Sequence, residues 1–256
     1  MLADSHCHLH MLGETLPDVL ARAREAGVSR FLVPGTTVAD SRDAVRLAQA
    51  NDDVLAAVGV HPHEAKDFDA ERDGPALEDL ARAPDVAAIG EIGLDFHYDL
   101  SPRARQIDTL EWMLDLARRL DLPVILHNRE SSGEMLALVE RFGPRENAGV
   151  FHSFTENADF GRKAIALGYL VSFSGMITFR QAENIREAAS ALPLEAMLVE
   201  TDSPYLAPEP HRGRPCEPAF VVETAKRLAQ VKGVGLSEVE DRTTAAFDRL
   251  FARREA

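Results

Sequence analysis

Cysteine, lysine and long apolar runs are scarce in this chain, and each shortage removes a class of protein. Two cysteines, Cys7 and Cys216, are too few for a disulfide framework, which excludes a small stapled fold. No stretch reaches the roughly 18 consecutive apolar residues of a spanning helix, so neither a membrane span nor a membrane partner is expected. The opening residues Met1–His6 carry no basic segment followed by an apolar one. Together with the sparse cysteines, this predicts a cytoplasmic protein without a secretory leader. Positive charge is also short, with a formal net charge of −14. That excludes a protein that coats duplex DNA by releasing counterions. It leaves room for an enzyme that admits one strand end, where metal ions and a few arginines supply the field. No Gly-x-Gly-x-x-Gly follows the first strand-like segment, which argues against a dinucleotide fold.

What is present is regular. The 256 residues are close to the size of one (β/α)₈ barrel, and a 45% hydrophobic content can fill its core. No linker or low-complexity stretch interrupts the chain, so one barrel domain over residues 1–256 is expected. Short apolar runs, as expected of parallel strands buried on both faces, occupy Leu2–Leu9, Arg30–Pro34, Val54–Val60, Val86–Gly93, Pro123–His127, Gly149–Phe154, Tyr169–Ser174 and Met197–Thr201. Helical patterns lie between them: Thr15–Ala26, Ala39–Ala50, Ala76–Ala83, Pro102–Leu120, Gly133–Phe142, Asp159–Leu167 and Gln181–Ala191. Two more follow, Pro218–Val231 and Ser237–Arg253. Ser101 is the expected N-cap of the Pro102–Leu120 helix. Ser237 with Glu240 reads as a capping box for the last helix. Alternating strands and helices over this length predict a TIM barrel, an α/β fold. The proline-rich segment Pro204–Pro218 reads as a stiff wall over a site.

The strand-like runs end in metal-binding chemistry. His6 and His8 are two apart, so in a strand both point to one face while Cys7 points away. Asp4 adds a carboxylate on that face. Glu91 lies among small residues at a strand end, where a charge needs a counter-charge. None of the four lysines (Lys66, Lys163, Lys226, Lys232) lies at a strand end, so no carbamylated lysine can bridge two ions there. Glu91 is the natural bridging anion. His127 ends Val124-Ile125-Leu126, His152 follows Val150-Phe151, and Asp202 follows Leu198-Val199-Glu200-Thr201. Singly, each would pass for a satisfied core residue. Together, at equivalent strand ends, His6, His8, Glu91, His127, His152 and Asp202 read as ligands of two divalent ions. Imidazole with carboxylate suits Zn²⁺, Mg²⁺, Mn²⁺ or Fe²⁺. Asp202 is placed to take a proton from an attacking water, and Glu200 to play a supporting part. The reaction class is hydrolysis of an ester, amide or phosphodiester. Arg129, two residues past His127, is the best candidate to meet an anionic substrate, ahead of Arg180, Arg212 and Arg214. Phe96, Tyr98 and Tyr205 are candidates to stack on bases, and Trp112 reads as core.

Seven blocks carry a family resemblance: Asp4–Leu9, Gly59–His63, Gly90–Asp95, Pro123–Glu130, Phe151–Phe154, Ser172–Gly175 and Glu200–Pro208. On them the chain resembles the TatD family of metal-dependent deoxyribonucleases, over nearly its whole length. The resemblance implies a barrel with metals on the six residues named above. It implies phosphodiester hydrolysis that strips nucleotides from single-stranded DNA in the 3′ to 5′ sense, with DNA as the substrate and no obligate protein partner. By analogy His61 and His63 face the substrate, with His61 and Glu91 joining Asp202 in catalysis. The chain departs from the family pattern at His10, where Asp is usual, at His97, and at Pro215-Cys216 before Glu217-Pro218. The alternative reading of the same ligand set is an amidohydrolase or lactonase acting on a small molecule. A non-catalytic binding protein on this scaffold would be expected to lack some ligands, and this chain has a suitable residue at every position.

Overall fold

The structure, a computed structural model, describes residues 1–252. Eight parallel strands follow one another in sheet order. They are β1 (Leu2–Asp4), β2 (Val28–Pro34), β3 (Val54–Val58), β4 (Val86–Asp95), β5 (Val124–Arg129), β6 (Gly149–Phe151), β7 (Tyr169–Phe173) and β8 (Met197–Val199). Helices alternate with them: α1 (Leu16–Glu25), α2 (Val38–Ala50), α3 (Ala70–Ala81), α4 (Arg103–Leu120), α5 (Ser132–Phe142), α6 (Ala158–Ala166), α7 (Glu183–Ala191), α8 (Val221–Lys232) and α9 (Leu236–Leu250). The expected TIM barrel is what forms.

One buried cluster takes a residue from every strand: Ala3, Leu32, Ala57, Ala88, Ile125, Val150, Leu170 and Leu198. Phe31 and Val33, the neighbours of Leu32, belong instead to the cluster shared with the helices. This two-residue period separates the filled inside of the barrel from its helix-covered outside. Ala246, Phe247, Leu250 and Phe251, from α9 and its end, join the inner set.

The first and last strands meet beyond their ends. Ser5 N–H donates to Val199 O (3.1 Å), Asp202 N–H to His6 O (2.9 Å) and His8 N–H to Ser203 O (2.8 Å). Cys7 and Ser203 form an isolated parallel bridge. The expected strand Leu2–Leu9 is therefore cut to Leu2–Asp4, because the backbone leaves regular pairing to close the seam; His8 has φ −81° and ψ 65°. His6 and His8 still project together, with their Nε2 atoms 3.2 Å apart, while the Cys7 thiol donates to Leu32 O.

Two expected caps are corrected. Helix α4 begins at Arg103 with Pro102 at the cap position and no side-chain cap. The Ser101 hydroxyl is engaged elsewhere, donating to His63 O (2.7 Å) and accepting from Lys66 N–H (3.0 Å), so it ties the β3 and β4 loops together. Helix α9 begins one residue before Ser237, with Gly235 at the cap. Glu240 pairs with the Met1 amino group rather than closing a capping box. The expected end of that helix at Arg253 lies outside the described residues.

Gly93 links fold to site. Its φ of +149° and its register opposite His127 bring β4 and β5 together at the level of the histidine. A Cβ there would collide with the His127 carbonyl oxygen, a backbone atom with no freedom to yield. Gly93→Ala should lose about 2–5 kcal/mol of stability from backbone strain and overpacking combined, read as a lowered urea midpoint. An unchanged midpoint would show that the two strands have slack at this level.

Candidate metal centre

Each chemistry-bearing side chain is set by a strand end. His6 and His8 follow β1, His61 and His63 follow β3, and Glu91 lies in β4, which Asp95 ends. His127 lies in β5, His152 is the first residue past β6, and Asp202 sits three residues past β8 at φ +58°, a conformation Asp tolerates. Glu91 is 3% exposed and stands at the centre. Its Oε2 faces His6 Nε2 (3.3 Å) and His8 Nε2 (3.8 Å). Its Oε1 faces His152 Nε2 (2.9 Å), His127 Nδ1 (3.0 Å) and His61 Nε2 (3.3 Å). Asp202 Oδ1 closes the Oε2 side, 3.4 Å from His8 Nε2 and 3.7 Å from His6 Nε2. The six residues expected as ligands are therefore gathered in one volume. Three groups among the described residues bring ligand atoms within 4.8 Å of one another: His6, His152 and Asp202; His6, His8 and Glu91; His61, Glu91 and His127.

Other expectations fare differently. Asp4 does not join the cluster. It is fully buried and turns to the seam, accepting from the Thr201 hydroxyl (2.6 Å), Thr201 N–H (2.9 Å) and His6 N–H (3.3 Å). Burial pushes its carboxyl up to about 8. The even spacing that aligns residues in a strand fails here because the strand stops at Asp4. His63 is turned away from Glu91 and donates through Nε2 to Asp95 Oδ2 (2.9 Å). Arg129 is exposed, with its guanidinium 4.6 Å over the Tyr98 ring. Arg212 lies 3.9 Å over Phe179 and donates to Ala207 O. Phe96 is buried with Arg103 4.3 Å above it, and Trp112 is half-buried against Phe68.

The hydrogen bonds around the ring fix which nitrogens face inward. His127 Nε2–H donates to Asp95 Oδ2 (3.1 Å) and His152 Nδ1–H to Glu200 Oε1 (3.3 Å), which also accepts from Ser153 N–H (2.8 Å). A neutral imidazole has one N–H, so in their neutral forms His127 and His152 would present Nδ1 and Nε2 as bare acceptors. They stand 3.3 Å apart, both facing Glu91 Oε1. Acceptors crowded around a carboxylate repel one another unless protons or a cation lie among them. Burial would raise the Glu91 carboxyl, but His152, His61, His6 and His127 more than reverse this and hold it well below the usual range. Burial opposes charge on His152, whereas Glu91 and Glu200 raise it well above an ordinary imidazole. The arrangement therefore draws positive charge into its centre. Imidazole and carboxylate donors oriented by hydrogen-bonded carboxylates fit a divalent cation. His61 is set the other way. Its Nδ1 accepts from His63 N–H (3.1 Å), so its proton is on Nε2, pointing at Glu91, and burial pushes it down to about 4. It is a neutral donor aimed into the site.

Asp95 was absent from the expected site. Burial would raise it, but hydrogen bonds from His127, Tyr98 N–H and His63 hold it well below the usual carboxylate range. Its signal was present: Glu91, Gly93 and Asp95 share one strand face by their even spacing, once β4 is seen to run to Asp95.

A parallel barrel whose strand ends gather five inward imidazoles about one shared carboxylate has the make-up of a metal-dependent hydrolase. Comparison with known proteins gives the family. The pattern of the family described as TatD related DNase matches residues 3–252. The uncharacterized metal-dependent hydrolase YcfH of Escherichia coli is 40% identical over 256 residues, covering 98% of this chain and 95% of the relative. The 3′-5′ ssDNA/RNA exonuclease TatD of Erwinia tasmaniensis is 35% identical over 239 residues, covering 91% and 92%. The crystal structure of the TatD homologue YjjV from Escherichia coli superimposes with a TM-score of 0.90 at 29% identity, covering 98% and 97%. The chain belongs to the TatD-related DNase family and is a metal-dependent hydrolase.

Asp95 and Glu200 orient the inward nitrogens without facing the centre themselves. Asp95→Asn and Glu200→Gln should each weaken binding of Mn²⁺ or Zn²⁺ by roughly 10–100-fold in isothermal titration. Affinities matching the unaltered protein would remove these carboxylates from that task.

Proposed function

We propose that the chain hydrolyses phosphodiester bonds of DNA with two divalent ions, releasing nucleotides from single strands in the 3′ to 5′ sense. One observation carries this reading: the two oxygens of Glu91 each face their own set of imidazoles. His6, His8 and Asp202 with Oε2 would hold one ion, and His127 and His152 with Oε1 the other. Zn²⁺, Mg²⁺ and Mn²⁺ all accept such donors. Ions held there supply Lewis acidity, drawing charge from phosphoryl oxygens and making water acidic enough to attack near neutral pH.

The remaining work belongs to side chains. Asp202 orients the attacking water and takes its proton. Glu91 holds the two ligand sets in register. His61, with its proton on Nε2 and neutral at pH 7, donates to a phosphoryl oxygen as charge builds on it. His63, steadied by Asp95, and Arg129 meet the substrate at the rim. The family description and the Erwinia tasmaniensis relative's name support a nucleic-acid substrate. The net charge of −14 fits entry by a strand end rather than a wrapped duplex.

The test is release from 3′-labelled single-stranded DNA by protein loaded with Mg²⁺, Mn²⁺ or Zn²⁺. No release with any of them would overturn the nuclease reading in favour of a small-molecule amide or lactone substrate. Glu91→Ala should lose bound metal, measured by mass spectrometry of the purified protein, and with it hydrolysis. Full metal content and turnover in that variant would refute the bridging role. His61→Ala should keep its metal while kcat falls by about 10²–10³. An unchanged kcat would take His61 out of the mechanism.

A further inference from the structure

Five large apolar side chains are exposed among the described residues: Met1, Met11, Tyr98, Leu100 and Tyr205. Two are tyrosines, and they are placed alike. Tyr98 follows β4 and Tyr205 follows β8, strands four apart in an eight-stranded order, so they rise from opposite sides of the barrel mouth. Each stands three residues beyond an aspartate of the site and is tied to it. Tyr98 N–H donates to Asp95 Oδ1 (3.0 Å), and Tyr205 N–H to the Asp202 carbonyl (2.8 Å). Each ring meets an imidazole edge-on: Tyr98 with His63 at 5.6 Å and 87°, Tyr205 with His8 at 6.1 Å and 75°. Each is 54% exposed. The third tyrosine, Tyr169, is buried, as is Phe96, and among the described residues Tyr98 and Tyr205 are the large aromatic side chains that are exposed.

Burial does not account for two half-open rings bolted to the backbone beside the reacting groups. Arg129 covers one face of Tyr98 and so backs a stack on the other. The Tyr205 hydroxyl donates to Met11 Sδ (3.6 Å), which steadies that ring at its rim.

We infer that Tyr98 and Tyr205 are positioning residues that stack the two bases flanking the scissile phosphate, one on each side. This rests on the nuclease reading above and deepens it. A phosphate at Glu91 then lies between two bases splayed toward opposite rims. A paired and stacked duplex cannot present those base faces, whereas an unpaired strand can, so the platforms select unstacked single strands.

The experiment measures nucleotide release from 3′-labelled oligonucleotides that are intact, abasic on the leaving side, or abasic on the retained side of the scissile bond. Tyr98→Ala and Tyr205→Ala should each raise KM for the intact strand about 5- to 150-fold, with a smaller change in kcat. The Phe variants should retain KM to within about twofold, since the ring and not the hydroxyl stacks. Each Ala loss should vanish on one abasic strand, and the two tyrosines should respond to opposite abasic positions. Losses that add to those of both abasic strands, Phe variants as damaged as Ala, or both tyrosines coupled to the same base would overturn this inference alone. Absence of release by the unaltered enzyme would overturn the nuclease reading and this inference with it.

Discussion

A carboxylate removed from water needs positive charge beside it, and among the described residues Glu91 has no lysine or arginine as an ion-pair partner. Five histidines surround it, split between its two oxygens. Carboxylates around the rim orient two of those rings, so that in their neutral forms acceptors would point at an acceptor. This conflict holds only because backbone from several strands fixes every participant, and it resolves when divalent charge enters. Much else in the structure serves to keep that geometry rigid. Gly93 lets β4 and β5 approach at the level of His127. Asp95 accepts hydrogen bonds from two histidines at once. Glu200 is fully buried in order to reach His152.

The seam of the barrel and the site are the same piece of chain. Strands β1 and β8 are three residues each, and their joining bonds run from the end of β8 at Val199 outward, through Ser5, His6, His8, Asp202 and Ser203. The donors and acceptors that close the cylinder are backbone groups of the candidate ligands themselves or their neighbours. Asp4 sits under this junction, accepting from Thr201 and from His6. The site is therefore placed by barrel closure rather than by any one loop, and His6 and Asp202 are bonded through their backbones although 196 positions separate them.

The candidate ligand set was legible in the chain because strand ends can be read from short apolar runs, and a charged or imidazole residue at such an end is conspicuous. The eight-strand alternation was legible for the same reason. Readings that depended on regular geometry continuing past a strand end were not. Asp4 was grouped with His6 and His8 by even spacing, but the strand stops at Asp4. Ser101 was read as a cap from its position before Pro102, yet its hydroxyl is committed to His63 and Lys66, two loops away. Asp95 escaped notice because β4 was ended two residues short. Each miss concerns a contact with a partner distant in sequence, which local patterning does not encode.

The sequence by itself determined the fold class and the set of hard donors, because strand period, helix period and residue chemistry are local properties. Only the tertiary structure decided which nitrogen of His127 and of His152 faces the centre. That choice is made by the hydrogen bond on the other nitrogen, and those partners come from elsewhere: Asp95 from β4 for His127 and Glu200 from the end of β8 for His152, whereas His61 takes its bond from the His63 backbone two residues on. Two histidines with identical side chains thus become ligand candidates and a third a proton donor, by virtue of what stands behind each ring.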